Sequence, residues 1–285
     1  MFSSILCATD FSRGGSHALE VAARWAEAHG ATLEVLNVVT PLLGIVPSSS
    51  VLDEIAVALR NDAEQALENE LAKLRRRVRV TGRVVDGLAR DRIVEEARVS
   101  KADLIVVGTS GESTIARVVL GSTADRVVRT SDCAVLVVPT DAPSTVPRVI
   151  VAPTDFSPAS LASVRVAGEI AEQFAARIEV VHAYEIPFFA DRSRPEVAGL
   201  SGTLAARARA VHDLDEDTRV HVVEGTAASA IERIAREIDA NLVVMGGGTR
   251  GTSTRWLLGS VTDRVLRTSH APVLVVHAVS GSSGA

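Results

Sequence analysis

Two α/β domains in tandem, each a five-stranded parallel sheet with helices on both faces, are what this 285-residue sequence predicts. Three observations predict it. The chain repeats itself, and within each repeat short Val- and Ile-rich runs alternate with longer amphipathic ones. The composition is 47% apolar but only 3% aromatic, which suits strands buried on both faces better than a sandwich or a barrel.

The repeat sets the architecture. Ile5-Leu6-Cys7-Ala8-Thr9-Asp10-Phe11-Ser12 returns as Ile150-Val151-Ala152-Pro153-Thr154-Asp155-Phe156-Ser157, with Asp10 and Asp155 offset by 145. Leu104–Val138 aligns without gaps on Leu242–Val276 at an offset of 138, with 18 of 35 positions identical. The second copy has therefore lost seven residues in its middle, since 145 − 138 = 7. Domain 1 is expected over residues 1–140 and domain 2 over 147–279, joined by a linker carrying Pro139, Pro143 and Pro147.

In the first copy a strand is expected over 3–9, then a helix capped by Ser12 or a neighbour and running to His29, with Gly30 as its left-handed cap. Thr32–Val39 is near-continuously apolar, as a doubly buried strand is. A long helix follows over about 51–77, a strand near 78–85 and a helix near 90–100. Leu104–Val107 is the fourth strand, Ser122–Thr130 a helix and Val135–Val138 the last strand. In the second copy Pro158 falls at the first position of a helix. This alternation gives an open, Rossmann-like sheet, whose ligands settle beyond the carboxyl ends of the strands where the strand order reverses.

Bulk properties exclude several functions. Net charge is −5, divided as 16 basic against 19 acidic side chains in residues 1–145 and 14 against 16 in the rest. Neither half is a basic module, so no nucleic-acid partner is expected. The apolar runs are strand-length and the N-terminus lacks the pattern of a signal peptide, so no membrane span is expected. Cys7 and Cys133 have no partner at metal or redox spacing and read as buried thiols in a reducing, cytoplasmic protein. A G-x-G-x-x-G after the first strand, a Walker A motif, H-E-x-x-H and G-x-S-x-G are all absent from the sequence. No catalytic residue and no metal-ligand set is therefore assigned.

The chemistry sits after the fourth strand, in Gly108-Thr109-Ser110-Gly111 and then Gly121-Ser122. Glycines permit positive φ and close approach of a phosphate. The free N–H groups of Ser122 and Thr123 then form an anion site strengthened by the helix dipole. The bland alternative is a turn shaped by glycines with Ser122 as a helix cap. Asp10 and Asp155 likewise have two readings, as ligand contacts or as caps of the following helix. Arg117 and Arg255, inside the loops, are either phosphate contacts or solvated arginines, and Arg126 is expected in a surface or interdomain ion pair. His182, at a strand end, reads as packed rather than catalytic.

The pattern G-x2-G-x9-G-[ST] after a Val-rich strand, with an Asp ending strand one, resembles the universal stress protein family. The resemblance covers both halves, and it implies an adenine-nucleotide α-hydrolase-like fold and an ATP site. In ATP-binding members the strand-one Asp region contacts the nucleoside, the end of strand two meets the base, and the glycine motif holds ribose and phosphates. The resemblance nominates Ala8, Thr9, Asp10, Val38, Gly108, Gly111, Gly121, Ser122 and Thr123 in copy one. In copy two it nominates Pro153, Thr154, Asp155, Ala183, Gly246, Gly259, Ser260 and Val261. Copy two departs from the pattern, because Thr249 replaces Gly111. It binds ATP through a remodelled loop, binds weakly, or serves as a partner face, whereas copy one carries the complete motif.

The resemblance also implies Mg2+ or Mn2+ on the phosphates and at most slow hydrolysis or self-phosphorylation. It implies a nucleotide-dependent regulatory role in stress response. The alternative is a nucleotide-free interaction scaffold. Single-domain relatives dimerise through the last strand, so Val135–Val138 and Val273–Val276 are expected to pair within the chain, with a homodimer as a further possibility.

Overall fold

The computed structural model describes residues 1–40, 50–109, 120–143, 146–250 and 256–277. The chain divides into two compact units, Met1–Ser144 and Thr145–Ala285.

Unit 1 runs β1 (Ser4–Ala8), α1 (Arg13–His29), β2 (Thr32–Val39), α2 (Ser50–Leu74), β3 (Arg79–Asp86), α3 (Ala89–Ser100), β4 (Leu104–Gly108), α4 (Ser122–Thr130) and β5 (Ala134–Val138). Its strands pair in parallel in the order β3-β2-β1-β4-β5. Unit 2 runs β6 (Val149–Pro153), α5 (Pro158–Phe174), β7 (Arg177–Tyr184), α6 (Pro195–Ala198), α7 (Leu200–His212), β8 (Arg219–Glu224), α8 (Ala227–Glu237), β9 (Leu242–Gly246), β10 (Thr249–Arg250), β11 (Trp256–Leu257), α9 (Ser260–Thr268) and β12 (Val273–Val276). Its parallel order is β8-β7-β6-β9-β12. In each unit the order reverses between the first and fourth strands, which opens a crevice at their carboxyl ends.

The central strands are apolar because both faces are covered: Ile5, Leu6, Cys7, Leu104, Ile105 and Val106 are all fully buried. Ser12 caps α1 by accepting from Gly15 N, and Gly30 ends it at φ 63°. The helical region between the second and third strands differs between copies, α2 having 25 residues and its counterpart α7 only 13. The short antiparallel β10–β11 hairpin, missed by a reading based on periodicity, has two residues per strand, too few for any pattern to register.

Burial pushes the Cys7 thiol well above its usual range, and it pushes Cys133 up to about 12 with help from the Asp103 charge. Burial also holds the imidazoles of His29, His212 and His270 below their ordinary value. A histidine depressed in the folded state is protonated first in the unfolded chain. Its stabilising contribution is therefore complete above the unfolded value of about 6.5 and is lost progressively as pH falls from there towards the lower folded value. Stability to urea is expected to drop between pH 7.5 and pH 5.5, and an unchanged midpoint over that window would contradict the burial of these rings.

Candidate functional site

At each crevice the first strand turns sharply into its helix. Thr9 Oγ1 accepts from Phe11 N at 3.0 Å, and Asp10 Oδ1 accepts from Ser12 N at 3.1 Å and Ser12 Oγ at 2.5 Å. Unit 2 repeats the turn: Thr154 Oγ1 accepts from Phe156 N at 3.1 Å and Asp155 Oδ1 from Ser157 N at 3.0 Å. The caps of α1 and α5 are Ser12 and Ser157, so the helix-capping reading of Asp10 and Asp155 does not hold. Each Asp instead closes a local turn through one oxygen. Phe11 and Phe156 pay for that turn with φ of 60° and 63°, a left-handed conformation that costs a non-glycine residue about 1–2 kcal/mol. Burial alone would raise the Asp155 carboxyl. Hydrogen bonds from the Ser157 hydroxyl and N–H and from the Ser160 hydroxyl outweigh it and hold Asp155 below its usual value, hence ionised.

The second strand steadies this turn from the side. Asn37 Nδ2 donates to Thr9 O at 2.9 Å, and His182 Nδ1 lies 2.8 Å from Thr154 O. Asn37 and His182 are equivalent at the 145-residue offset, so one position does the same work with two side chains. His182 is buried, and its ring sits 4.5 Å from that of Phe156. On the same unit Arg207 stands over Phe156 at 4.4 Å, and His212 Nε2 lies 2.7 Å from Thr154 Oγ1.

The fourth strand needs glycine where it ends. A Cβ on Gly108 would lie 3.1 Å from Gly14 O, and one on Gly246 only 2.7 Å from Ala159 O. The glycine thus lets the first turn of α1 or α5 press against the strand end, a packing duty beside any ligand duty. Gly248 has φ 84°, and a Cβ there would meet Leu257 O at 2.1 Å, so it shapes the turn into β10. Gly121 and Gly259 stand at the N-cap positions of α4 and α9 with no side-chain cap. Ser122 is therefore the first helical residue and not the cap, and the first-turn N–H groups of both helices face the crevice end uncapped by a side chain.

The crevice of unit 1 is a cavity of about 260 Å³. Of the residues nominated from sequence, Ala8, Thr9, Asp10, Val38, Gly108 and Thr123 line it. Gly121 and Ser122 open the adjoining helix, and Gly111, Arg117 and Arg255 lie outside the described residues. In unit 2 a cavity of about 290 Å³ is lined by all eight nominated residues: Pro153, Thr154, Asp155 and Ala183 from two strand ends, with Gly246, Gly259, Ser260 and Val261. Arg126 pairs with Asp91 at 3.3 Å within unit 1.

Sequence reasoning missed one wall. Ala89 and Ile93 of α3, and Ala227 and Ile231 of α8, line the two cavities. The signal was present as Gly87-Leu88-Ala89 and Gly225-Thr226-Ala227, a glycine two residues before a helix in both copies. Both glycines take positive φ, 144° and 128°. Together with Leu36 and Val38, or Val181 and Ala183, this wall makes an apolar slot beside a hydroxyl- and N–H-rich end. Such a site accepts a flat apolar group at one end and an anion at the other. Among the described residues no group of three His, Cys, Asp or Glu side chains is placed to hold a metal ion, and no helix is long and apolar enough to cross a membrane.

Known proteins resemble this chain over both units. The profile of the universal stress protein family matches twice, at residues 1–139 and 147–277. A universal stress protein of Mycolicibacterium smegmatis is 27% identical over 282 residues, 95% of this chain and 96% of the relative. One from Methanocaldococcus jannaschii is 31% identical over 142 residues, 48% of this chain and 81% of the relative. The crystal structure of a universal stress protein from Archaeoglobus fulgidus superposes with a TM-score of 0.69 at 21% identity, covering 96% of this chain and 98% of that one, which speaks for the fold. With two profile matches that together span nearly its whole length, the chain belongs to the universal stress protein family and carries that family's domain twice.

Proposed function

We propose that both cavities bind an adenine nucleotide, ATP in the first place, and that the chain acts as a nucleotide-dependent regulatory module in a cytoplasmic stress response. One observation carries the reading: in each unit, residues about a hundred positions apart in sequence line a single cavity at the reversal of strand order. The apolar slot between the second strand and α3 or α8 suits the base. The ionised Asp155 and its counterpart Asp10 suit hydroxyl groups of the ribose, and the uncapped N-termini of α4 and α9 suit phosphates.

Mg2+ or Mn2+ would be held mainly by phosphate oxygens and water and would neutralise phosphate charge, with the hydroxyls of Ser122, Thr123, Ser260 and Thr262 at the helix N-termini beside the phosphates. The chain's own residues bind and orient. Universal stress proteins are generally binding proteins rather than enzymes, and the lining of these cavities favours the same reading, with hydrolysis or self-phosphorylation slow if it occurs at all.

Calorimetry of the nucleotide-stripped chain with Mg-ATP tests the proposal. Two sites are expected. Gly121→Ala with Ser122→Ala should weaken one of them, and Gly259→Ala with Ser260→Ala the other, each by about tenfold, the loss of one well-placed phosphate hydrogen bond. Heat lost entirely in the first variant would restrict binding to unit 1. No heat at millimolar ATP would sink the proposal and leave a nucleotide-free scaffold.

A further inference from the structure

We propose that Phe188 and Phe189 are a closing element of the unit 2 cavity, a pair of rings that folds onto the exposed face of a bound purine base. The inference rests on the nucleotide reading above and names a part of that site that no motif contains.

Both rings are fully in water, with relative exposures of 103% and 91%. The chain holds only six phenylalanines, and others are engaged: Phe2 packs on Trp25 and His29, and Phe156 on His182. The exposed pair is not at a frayed end. Ala190 N donates to Pro187 O at 2.9 Å, which closes a turn with Phe188 and Phe189 at its two central positions. The base of the turn is fastened on both sides. Gly225 N donates to Tyr184 O at 2.9 Å, Arg192 grips Glu224 through two hydrogen bonds of 2.5 and 2.9 Å, and Asp191 Oδ1 accepts from Ser193 N and Oγ at 3.0 and 2.6 Å. A fastened loop therefore presents two aromatic rings to water.

The position gives them a target. The loop leaves β7 directly after Val181 and Ala183, which line the cavity, and its anchor at Gly225 leads straight into α8, whose Ala227 and Ile231 line the same cavity. The turn springs from the rim of the apolar slot. From Tyr184 to Phe188 the chain can span about 13 Å, enough to lean across the mouth. A planar base seated in that slot keeps one face toward solvent. An aromatic side chain laid on that face gains stacking and buries apolar surface on both partners. The two exposed rings acquire in the bound state an apolar contact with the base.

Chymotrypsin cleaves after exposed phenylalanine, so limited digestion of the full chain reports the state of the turn. Cleavage after Phe188 and Phe189 should slow at least tenfold with Mg-ATP and with adenosine, and stay unchanged with inorganic tripolyphosphate, which has no base. Phe188→Ala with Phe189→Ala should weaken ATP binding at unit 2 roughly five- to tenfold, at the lower end of base–aromatic stacking. It should leave unit 1 affinity and the ligand-free melting temperature unchanged. The proposal falls if calorimetry finds ATP at unit 2 while digestion proceeds at the same rate, or if the double variant binds as tightly as the parent. A variant that alters sedimentation and not affinity would make the pair a contact between copies of the chain and overturn the proposal. Failure of the nucleotide reading itself is recognised separately, by the absence of binding heat at unit 2, and it removes this proposal too.

Discussion

Gly246→Ala is expected to destabilise unit 2 by about 3 kcal/mol, while Gly108→Ala costs unit 1 only about 1 kcal/mol. The two glycines are equivalent and differ in what faces them. A Cβ on Gly246 meets three atoms of Ala159, its O at 2.7 Å, C at 2.8 Å and Cβ at 2.9 Å, two of them backbone, so α5 must move. A Cβ on Gly108 meets Gly14 O and C at 3.1 and 3.2 Å and Gly15 N at an ordinary 3.6 Å, so α1 need give by only a few tenths of an ångström. Hydrogen exchange in graded urea, which reports each unit by itself, measures both costs in the full chain. Equal losses would show that close approach is not what these glycines serve. Adding Gly14→Ala to Gly108→Ala should cost more than the sum of the single changes, because the two sites touch. Displacement of α5 would also move Pro153–Asp155, so nucleotide affinity at unit 2 should fall with stability.

Arg83→Ala is expected to cost unit 1 about 1–2 kcal/mol, between the values for exposed and buried pairs, because the Arg83 side chain is itself 37% exposed and Glu96 keeps Arg92 as a partner. Arg83 bridges two carboxylates beneath the cavity: its Nε binds Glu34, and its NH1 lies 2.8 Å from Glu96 Oε2. The Glu96 side chain is only 7% exposed, and Arg92 also binds it. Glu34 shares a strand face with Leu36 and Val38, so this layer supports the slot. Unit 2 solves the same problem with other residues. Glu179 takes the place of Glu34 and is fully buried, His221 Nε2 lies 2.5 Å from its Oε2, and Arg177 Nε lies 2.7 Å from its Oε1. The positions of Glu96 and Arg92 are filled there by Ile234 and Ala230. Combining Arg83→Ala with Glu34→Leu and Glu96→Ile should therefore recover most of the loss, since an apolar layer of similar volume replaces a partly buried ionic one at little cost. Urea unfolding of the single and triple variants decides it; a triple variant as unstable as the single one would refute the ionic account.

Much of the architecture was legible because its signals are local or repeated. Ser12, Gly30 and Pro158 announce helix ends through their own backbone preferences, and they stand where the structure needs them. Strands buried on both faces read as unbroken apolar runs, and the internal repeat let each copy check the other. The Asp10 and Asp155 positions line the cavities but were misleading as caps, because the sequence offers Asp and Ser two residues apart and either side chain can cap a helix. Geometry gives the cap to Ser12 and Ser157.

By itself, then, the sequence determined that one α/β unit occurs twice, about where the strands and helices of the first copy begin, and which glycine loops adjoin a helix N-terminus. These follow from local preference and periodicity. Only the tertiary structure decided that α3 and α8 supply a wall of the cavity, that Gly108 and Gly246 answer to different neighbours, and that the equivalent carboxylates Glu34 and Glu179 meet an arginine in one unit and a histidine with an arginine in the other. Those facts depend on which residues far apart in sequence are brought within a few ångströms. Contact of that kind is fixed by the packing of helices on the sheet, and no stretch of sequence carries it alone.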